Sequence, residues 1–332
     1  LVREVRKALE RFAPGSRVYG ADCDKDCIGN YFVDSFWQMP PLGELQTDQL
    51  IDFCKRNSVQ AIIPTRDGEL EYFASEKKIF GRYGISVMLP SFATVKFCND
   101  KLRFYYHLQN HPEIHPVHTA ITPDPMKTKR WVVKERFGSG SKDLLMDVSF
   151  DRACSAATSF QAPVFQPYIE GQEFSIDMYS CRTGQPLGIV VRSRDRVKNG
   201  ESQITTIVNR TDIEEVCIEA ARLLGLVYHA VFQVIVGSER KIYLIECNCR
   251  FGGASSLSLA AGLDSFYWFF LESVDERLLH MPMLRSENKL KQVRYLEDMI
   301  VSMDDSISGT SVPFADGRSG FDEKEKVYHG SL

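Results

Sequence analysis

The chain has 332 residues, 44% hydrophobic and 25% charged, the balance of an ordinary globular protein, which excludes disorder as its default state. A formal net charge of −4 and a pI near 6.0 leave no overall basic field for a phosphate backbone, so nucleic acid is not expected as the main partner. Nine cysteines, an odd number without regular spacing, point to a reducing, cytoplasmic setting, and the longest apolar runs, such as residues 265–271, are too short to cross a bilayer.

Residues 1–12 alternate charged and apolar positions as an amphipathic helix does, and because the chain opens on Leu1 inside that pattern, a strand upstream of it is expected. From there to about residue 90, short β-branched strands (17–20, 60–64, 85–89) alternate with helices (48–57, 68–82), a rhythm that predicts a parallel α/β sheet. Ser91 is placed to cap one short helix, and Asn99 or Asp100 another over 101–108 that Pro112 stops. The His-, Pro- and Thr-rich stretch 112–125 reads as a linker. Strands at 131–136 and 143–146 then open a second domain, followed by a helix at 150–160 and antiparallel-looking strands at 164–168, 173–180, 187–196 and 203–209. After a helix at 212–224, two strongly apolar strands, 230–236 and 241–247, flank a polar turn and signal a hairpin. Helices at 255–261 and 264–279 close the domain. From Asp304 onward few large apolar residues remain, as in a peripheral tail or the start of another module.

The sharpest chemical signal is Glu246-Cys247-Asn248-Cys249-Arg250-Phe251-Gly252-Gly253, at the end of an apolar strand. Strand alternation puts Glu246, Asn248 and Arg250 on one face and the two cysteines on the other. A carboxylate beside an amide oxygen suits Mg²⁺, a hard cation that keeps phosphate oxygens and water in its remaining positions. Arg250 is suited to neutralising a phosphoryl group, and the two glycines let backbone N–H groups approach an anion. The same spacing also fits a strand end with exposed polar residues. Upstream, Lys134 lies on a strand that runs into Gly138-Ser139-Gly140-Ser141; glycines permit N–H groups to face phosphate while the lysine supplies a point charge, although a flexible linker has the same composition. Arg192, Arg194 and Arg196 alternate along one strand and so share a face, which fits either a carboxylate- or phosphate-binding surface or a solvated one. Two metal readings are declined. His107, His111, His115 and His118 are interrupted by Pro112 and Pro116, and Cys23, Cys27, Cys247 and Cys249 lack paired Cys-x-x-Cys spacing.

Glu-x-Asn-x-Arg after a hydrophobic strand resembles the metal-binding strand of the ATP-grasp superfamily, in particular the branch similar to one synthetase unit of the carbamoyl-phosphate synthase large chain. The resemblance runs in order over about residues 17–296 and implies an α/β (α+β) ATP-grasp fold behind a Rossmann-like preATP-grasp domain. The implied division is 1–98 for that first domain, 99–165 for a linker and small grasp subdomain, 166–300 for a large subdomain with the metal site, and 301–332 for the tail. It implies Gln233, Glu246 and Asn248 as ligands of one or two Mg²⁺ ions, with Mn²⁺ as a substitute. Lys101, Lys134 and the loop Gly138, Ser139, Gly140 and Ser141 would meet the phosphates of ATP, the backbone of Gln166, Pro167, Tyr168 and Ile169 the adenine edge, and Glu173 the ribose hydroxyls. Arg192, Arg194 and Arg250 would act on the substrate and phosphoryl side. Where the family often has Pro, this chain has Cys249, a change on the opposite face. Pro64 to Glu71 resembles an acidic helix start in the family's first domain, although acids at a helix start are favoured by its dipole alone.

The implied activity is an ATP- and Mg²⁺-dependent ligase that joins a small carboxylate to an amine through an acyl phosphate, with self-association into a homo-oligomer left open. Two alternatives stand beside it: an ATP-binding regulatory or scaffold protein without turnover, and a carboxyl-phosphate-forming or carboxylating enzyme on the same fold.

Overall fold

The computed structural model describes residues 1–138, 144–275, 278, 280–287 and 289–301. Helix α1 (Val2–Phe12) sets Val5, Ala8, Leu9 and Phe12 on one stripe, which packs into a core shared with the last helix of the fold. Then come β1 (Tyr19–Asp22), a 3₁₀ turn (Ile28–Phe32), β2 (Ser35–Gln38), α2 (Thr47–Arg56), β3 (Ala61–Ile62), α3 (Asp67–Arg82) and β4 (Ser86–Val87). The expected single parallel sheet is instead two parallel pairs, β1 with β2 and β3 with β4. Strand β2 was not anticipated, because three half-buried residues and an exposed Gln38 carry too short a pattern to read. Helices α4 (Phe92–Asn99) and α5 (Lys101–Leu108) start at the expected caps, Ser91 and Asp100, and β5 (His115–Pro116) follows.

Strands β6 (Trp131–Glu135), β7 (Leu144–Val148) and β8 (Pro163–Pro167) form a small antiparallel sheet, with α6 (Phe150–Ala157) packed on it through Trp131, Val133, Ala153 and Phe165. The larger sheet is built from β9 (Gly171–Ser180), β10 (Pro186–Lys198), β11 (Glu201–Ile207), β12 (Tyr228–Gly237), β13 (Ile242–Asn248), β14 (Leu284–Arg285) and β15 (Lys291–Val293). Its order is β15-β11-β10-β9-β12-β13-β5, with β14 on β10. Helix α7 (Thr211–Leu224) ends where Gly225 takes φ 64, a left-handed conformation that costs glycine little.

One face of the large sheet is apolar. Phe174, Ile176, Ile189, Val191, Phe232 and Val234 join Cys247 and Cys249 in a core with α7 and the first-domain helices. The other face is split: α8 (Ser255–Ala260) and α9 (Ser265–Ser273) cover one end, and polar side chains occupy the end nearer the small sheet. Close approach of α9 requires Gly188, where a Cβ atom would lie 2.7 Å from Leu263 and 3.0 Å from Trp268. The helix read over 264–279 is described only as Ser265–Ser273. Among the described residues, no helix is long and apolar enough to cross a membrane.

Candidate functional site

The hairpin of β12 and β13 sets the site. Its register places Gln233 opposite Glu246 and Val231 opposite Asn248, so all three expected metal ligands share one face. The Asn248 amide donates to Glu246 Oε1 at 3.1 Å. On the neighbouring strand, β9 pairs Ser175 with Gln233 on one side and with Arg192 on the other, which extends the same face to Glu173, Asp177, Arg192 and Arg194.

That face has a sealed half and an open half. In the sealed half, Asp177, Arg192 and His229 are 0%, 2% and 3% exposed. Arg192 Nε donates to Asp177 at 2.7 Å and to Ser258 Oγ at 3.1 Å, and Ser258 in turn donates to Asp177 at 2.8 Å. Ser255 donates to the other carboxylate oxygen, and His229 Nε2 lies 3.3 Å from it while its ring stacks on Phe251. Burial alone would push the Asp177 carboxyl up, but the Arg192 charge and His229 outweigh it and hold the group well below the usual carboxylate range. Arg192, expected on the substrate side, is therefore an internal partner of Asp177. Helices α8 and α9 close over it, which strand alternation cannot foretell. Arg194 instead lies 3.1 Å from Glu173 and donates to the carbonyl of Gly200 at 2.9 Å, with its side chain 8% exposed. A bulge after Arg194 breaks the alternation, and Arg196 is exposed.

Across the open half stands Lys134 of β6. Burial draws its ammonium down to about 8; Glu246 and Glu173 oppose that shift, and Lys101 adds to it. The charges of Glu246, Glu173 and Lys101 all act on Lys134, so the small sheet brings its lysine near the polar face of the large one. Burial raises Glu173, with Arg194 pulling against it. Lys101 opens α5, where its backbone N–H donates to Arg136 O at 3.2 Å and its Nζ to Gly138 O at 2.9 Å. Beside it Asp100 caps the helix through Leu102 and Arg103 and also accepts both prongs of Arg136, at 2.7 and 2.6 Å. This clamp at the base of the glycine loop escaped the sequence reading, which saw Asp100 only as a cap; an arginine just before the loop was the available signal. Ser139, Gly140 and Ser141 lie outside the described residues.

At the connection between the sheets, Gln166 is buried and its side chain donates to Thr119 Oγ1 at 2.8 Å, while the Tyr168 N–H donates to Arg130 O at 2.9 Å. Pro167 and Ile169 border a cavity of about 360 Å³ with Tyr105, His118, Lys241 and Tyr243. Ile235, opposite Glu173 on β9 and Tyr243 on β13, gives the open face an apolar neighbour that a motif search does not single out.

Arg250 is held from the first domain. Its Nε and Nη2 donate to the two carboxylate oxygens of Asp67, the first residue of α3, at 2.7 and 2.5 Å, and its Nη1 donates to Phe251 O at 3.0 Å. The Gly252 N–H, expected to meet an anion, donates to Ser255 Oγ at 2.8 Å. The four linker histidines go to separate places: His107 stacks on Phe97, His111 pairs with Glu219, His115 lies in β5, and His118 packs edge-on to Tyr105. Among the described residues, no group of three His, Cys, Asp or Glu side chains is arranged to hold a metal ion. The Gln233, Glu246 and Asn248 set is of another kind, one carboxylate and two amides. Its hard oxygens fit Mg²⁺, and its single negative charge fits an ion that also takes oxygens from a nucleotide's phosphates.

Two family models match. One, described as ATP-grasp in the biosynthetic pathway with Ter operon, covers residues 159–299; the other, the PylC-like N-terminal domain, covers residues 1–88. The chain has the ATP-grasp fold. Solved ATP-grasp structures align with it at low identity. Biotin carboxylase from Campylobacter jejuni, solved with β,γ-ATP, has a TM-score of 0.68 at 15% identity over 83% of this chain and 69% of that one. The biotin carboxylase domain of Hydrogenobacter thermophilus 2-oxoglutarate carboxylase, solved with MgADP and bicarbonate, has a TM-score of 0.66 at 15% identity over 84% of this chain and 68% of that one. N5-carboxyaminoimidazole synthetase from Staphylococcus aureus has a TM-score of 0.63 at 13% identity over 84% and 75%. No curated protein matches the chain.

Proposed function

We propose that this ATP-grasp chain is an ATP- and Mg²⁺-dependent ligase that joins a small carboxylate to an amine through an acyl phosphate, releasing ADP and phosphate. The observation that carries this reading is the shared face on which Gln233 lies opposite Glu246 and Asn248 bonds to that carboxylate, with Lys134 of the small sheet and its neighbour Lys101 close enough for the charges to interact. The lysines suit a polyphosphate, and the oxygen ligands suit its counter-cation.

In this reading the backbone of residues 166–169 meets the adenine edge and Glu173 accepts from the ribose hydroxyls. Lys101 and Lys134 hold the phosphates, and Gln233, Glu246 and Asn248 hold Mg²⁺ or Mn²⁺. When bound, the metal would neutralise phosphate charge and orient the group being transferred. Arg194 and Arg250 address the substrate carboxylate and the moving phosphoryl group, while Arg192 acts only through Asp177. Most of the rate would come from positioning and charge neutralisation. Residues 1–98 bring the first domain against this face, 99–165 supply the small subdomain and 166–300 the large one.

The test is ADP release by the purified chain with Mg²⁺-ATP, screened against pooled amino acids and small carboxylates, with Glu246→Ala as the blank and bicarbonate as a separate arm. Stimulation by one carboxylate and one amine together, absent in Glu246→Ala, is the expected result. Stimulation by bicarbonate alone would replace the ligase with a carboxyl-phosphate-forming enzyme, and nucleotide binding without turnover in any arm would leave a binding module.

A further inference from the structure

Arg250 stands four residues beyond Glu246, where strand β13 has ended and its own backbone no longer fixes the side chain. What fixes it comes from 183 residues away. Asp67 grips the guanidinium in a two-pronged pair, with the two side chains 17% and 22% exposed. Asp67 is itself set by its loop. Glu69 accepts from the backbone N–H groups of Thr65 and Arg66, tying down the turn before α3, and the helix N-terminus favours a carboxylate at Asp67. Arg66, the other nearby cation, points away to Asp22 at 3.6 Å and is largely exposed, so it does not compete for Asp67.

Of the guanidinium's five N–H groups, three are engaged, by Asp67 and by the Phe251 carbonyl. Among the described residues, no other hydrogen-bond acceptor is taken by the guanidinium. A free arginine loses rotamer entropy when it is fixed, and its planar fork is useful only when it is correctly oriented. We propose that Asp67 is a positioning residue, through which the N-terminal domain takes part in the reaction by fixing the guanidinium of Arg250, the arginine that the proposed function assigns to the phosphoryl side. The pair also makes domain arrangement a condition of activity, since Asp67 reaches Arg250 only when the first domain is seated.

The kinetic consequence rests on the ligase reading; the contact itself does not, and the two are tested separately. In the full chain labelled with ¹⁵N-arginine, the Nε–H of Arg250 is identified by its absence in Arg250→Lys. Its exchange with solvent is expected to be slow in the wild type, fast in Asp67→Asn and slow again in Asp67→Glu. Equal exchange in the wild type and Asp67→Asn would overturn the proposal whether or not a substrate is known. With a carboxylate and amine pair in hand, Asp67→Asn should lower kcat roughly 10–100-fold while KM for ATP stays within about twofold, with Asp67→Glu recovering most of the loss. Unchanged kcat in Asp67→Asn, or a parallel loss of ATP binding and of thermal stability in both variants, would show that the pair only holds the domains together. Failure of every substrate pool with the wild type would remove the ligase reading and leave the exchange measurement to decide the contact.

Discussion

Glu246 is the one carboxylate among the three oxygen groups that the β12–β13 register brings together, so it supplies the charge that the set offers a cation. Glu246→Gln keeps the shape and removes that charge. Metal-dependent ATP turnover should fall roughly 10²–10³-fold with little change in thermal unfolding, as read by a coupled ADP assay beside circular dichroism. Lys134 is the matching residue on the small sheet. In the proposed site it would meet phosphate, so with Met in its place Mg²⁺-ATP binding by calorimetry should weaken roughly 10–100-fold. Unaltered affinity would move the phosphates away from β6. Glu246, Asn248 and Lys134 were readable because each sits on a strand whose alternation fixes its side. Arg192 was not, because alternation says which face a residue occupies and nothing about what later covers that face.

At the scale of elements, the buried group around Asp177 shows how β9, β10, β12 and α8 are locked together. An ion pair with 0% and 2% exposed side chains is costly to desolvate, and it persists because Ser255 and Ser258 satisfy the remaining oxygen positions. Arg192→Met strands the Asp177 carboxylate and should cost about 3–5 kcal/mol in chemical denaturation. Adding Asp177→Asn should recover part of that loss, since no buried charge is then left alone. Neither change is expected to be selective for catalysis, as befits an arginine whose partners are all internal.

At the scale of the whole molecule, the first domain and the grasp domain meet through charges as well as through apolar packing. Lys77 of α3 donates to the Leu89 carbonyl and sits over the Tyr228 ring, 4.8 Å from its centre. Burial draws its ammonium down from 10.5 to about 8, with Glu272 of α9 opposing. The unfolded chain therefore holds this proton between pH 8 and 10.5 while the folded chain has released it. The penalty is fully present below pH 8 and is relieved as pH rises through that window. Lys77→Met lacks this contribution. The stability difference, wild type minus variant, should rise from pH 8 to 10.5 in urea titrations, and a flat difference would place Lys77 in solvent.

The sequence by itself determined the elements of the second domain and their order, because strand and helix periodicities are local and its strands are long enough to show them. It also determined that Glu246 and Asn248 share a face, since residues two apart on a strand lie on the same side wherever the strand goes. Only tertiary structure decided that the first domain's strands form two pairs, that Arg192 pairs with Asp177 while Arg194 pairs with Glu173, that Asp100 clamps Arg136, and that Arg250 pairs with Asp67. Each of these depends on partners far apart in the chain, and which distant surfaces meet is set by the packing of whole sheets and helices rather than by any local pattern.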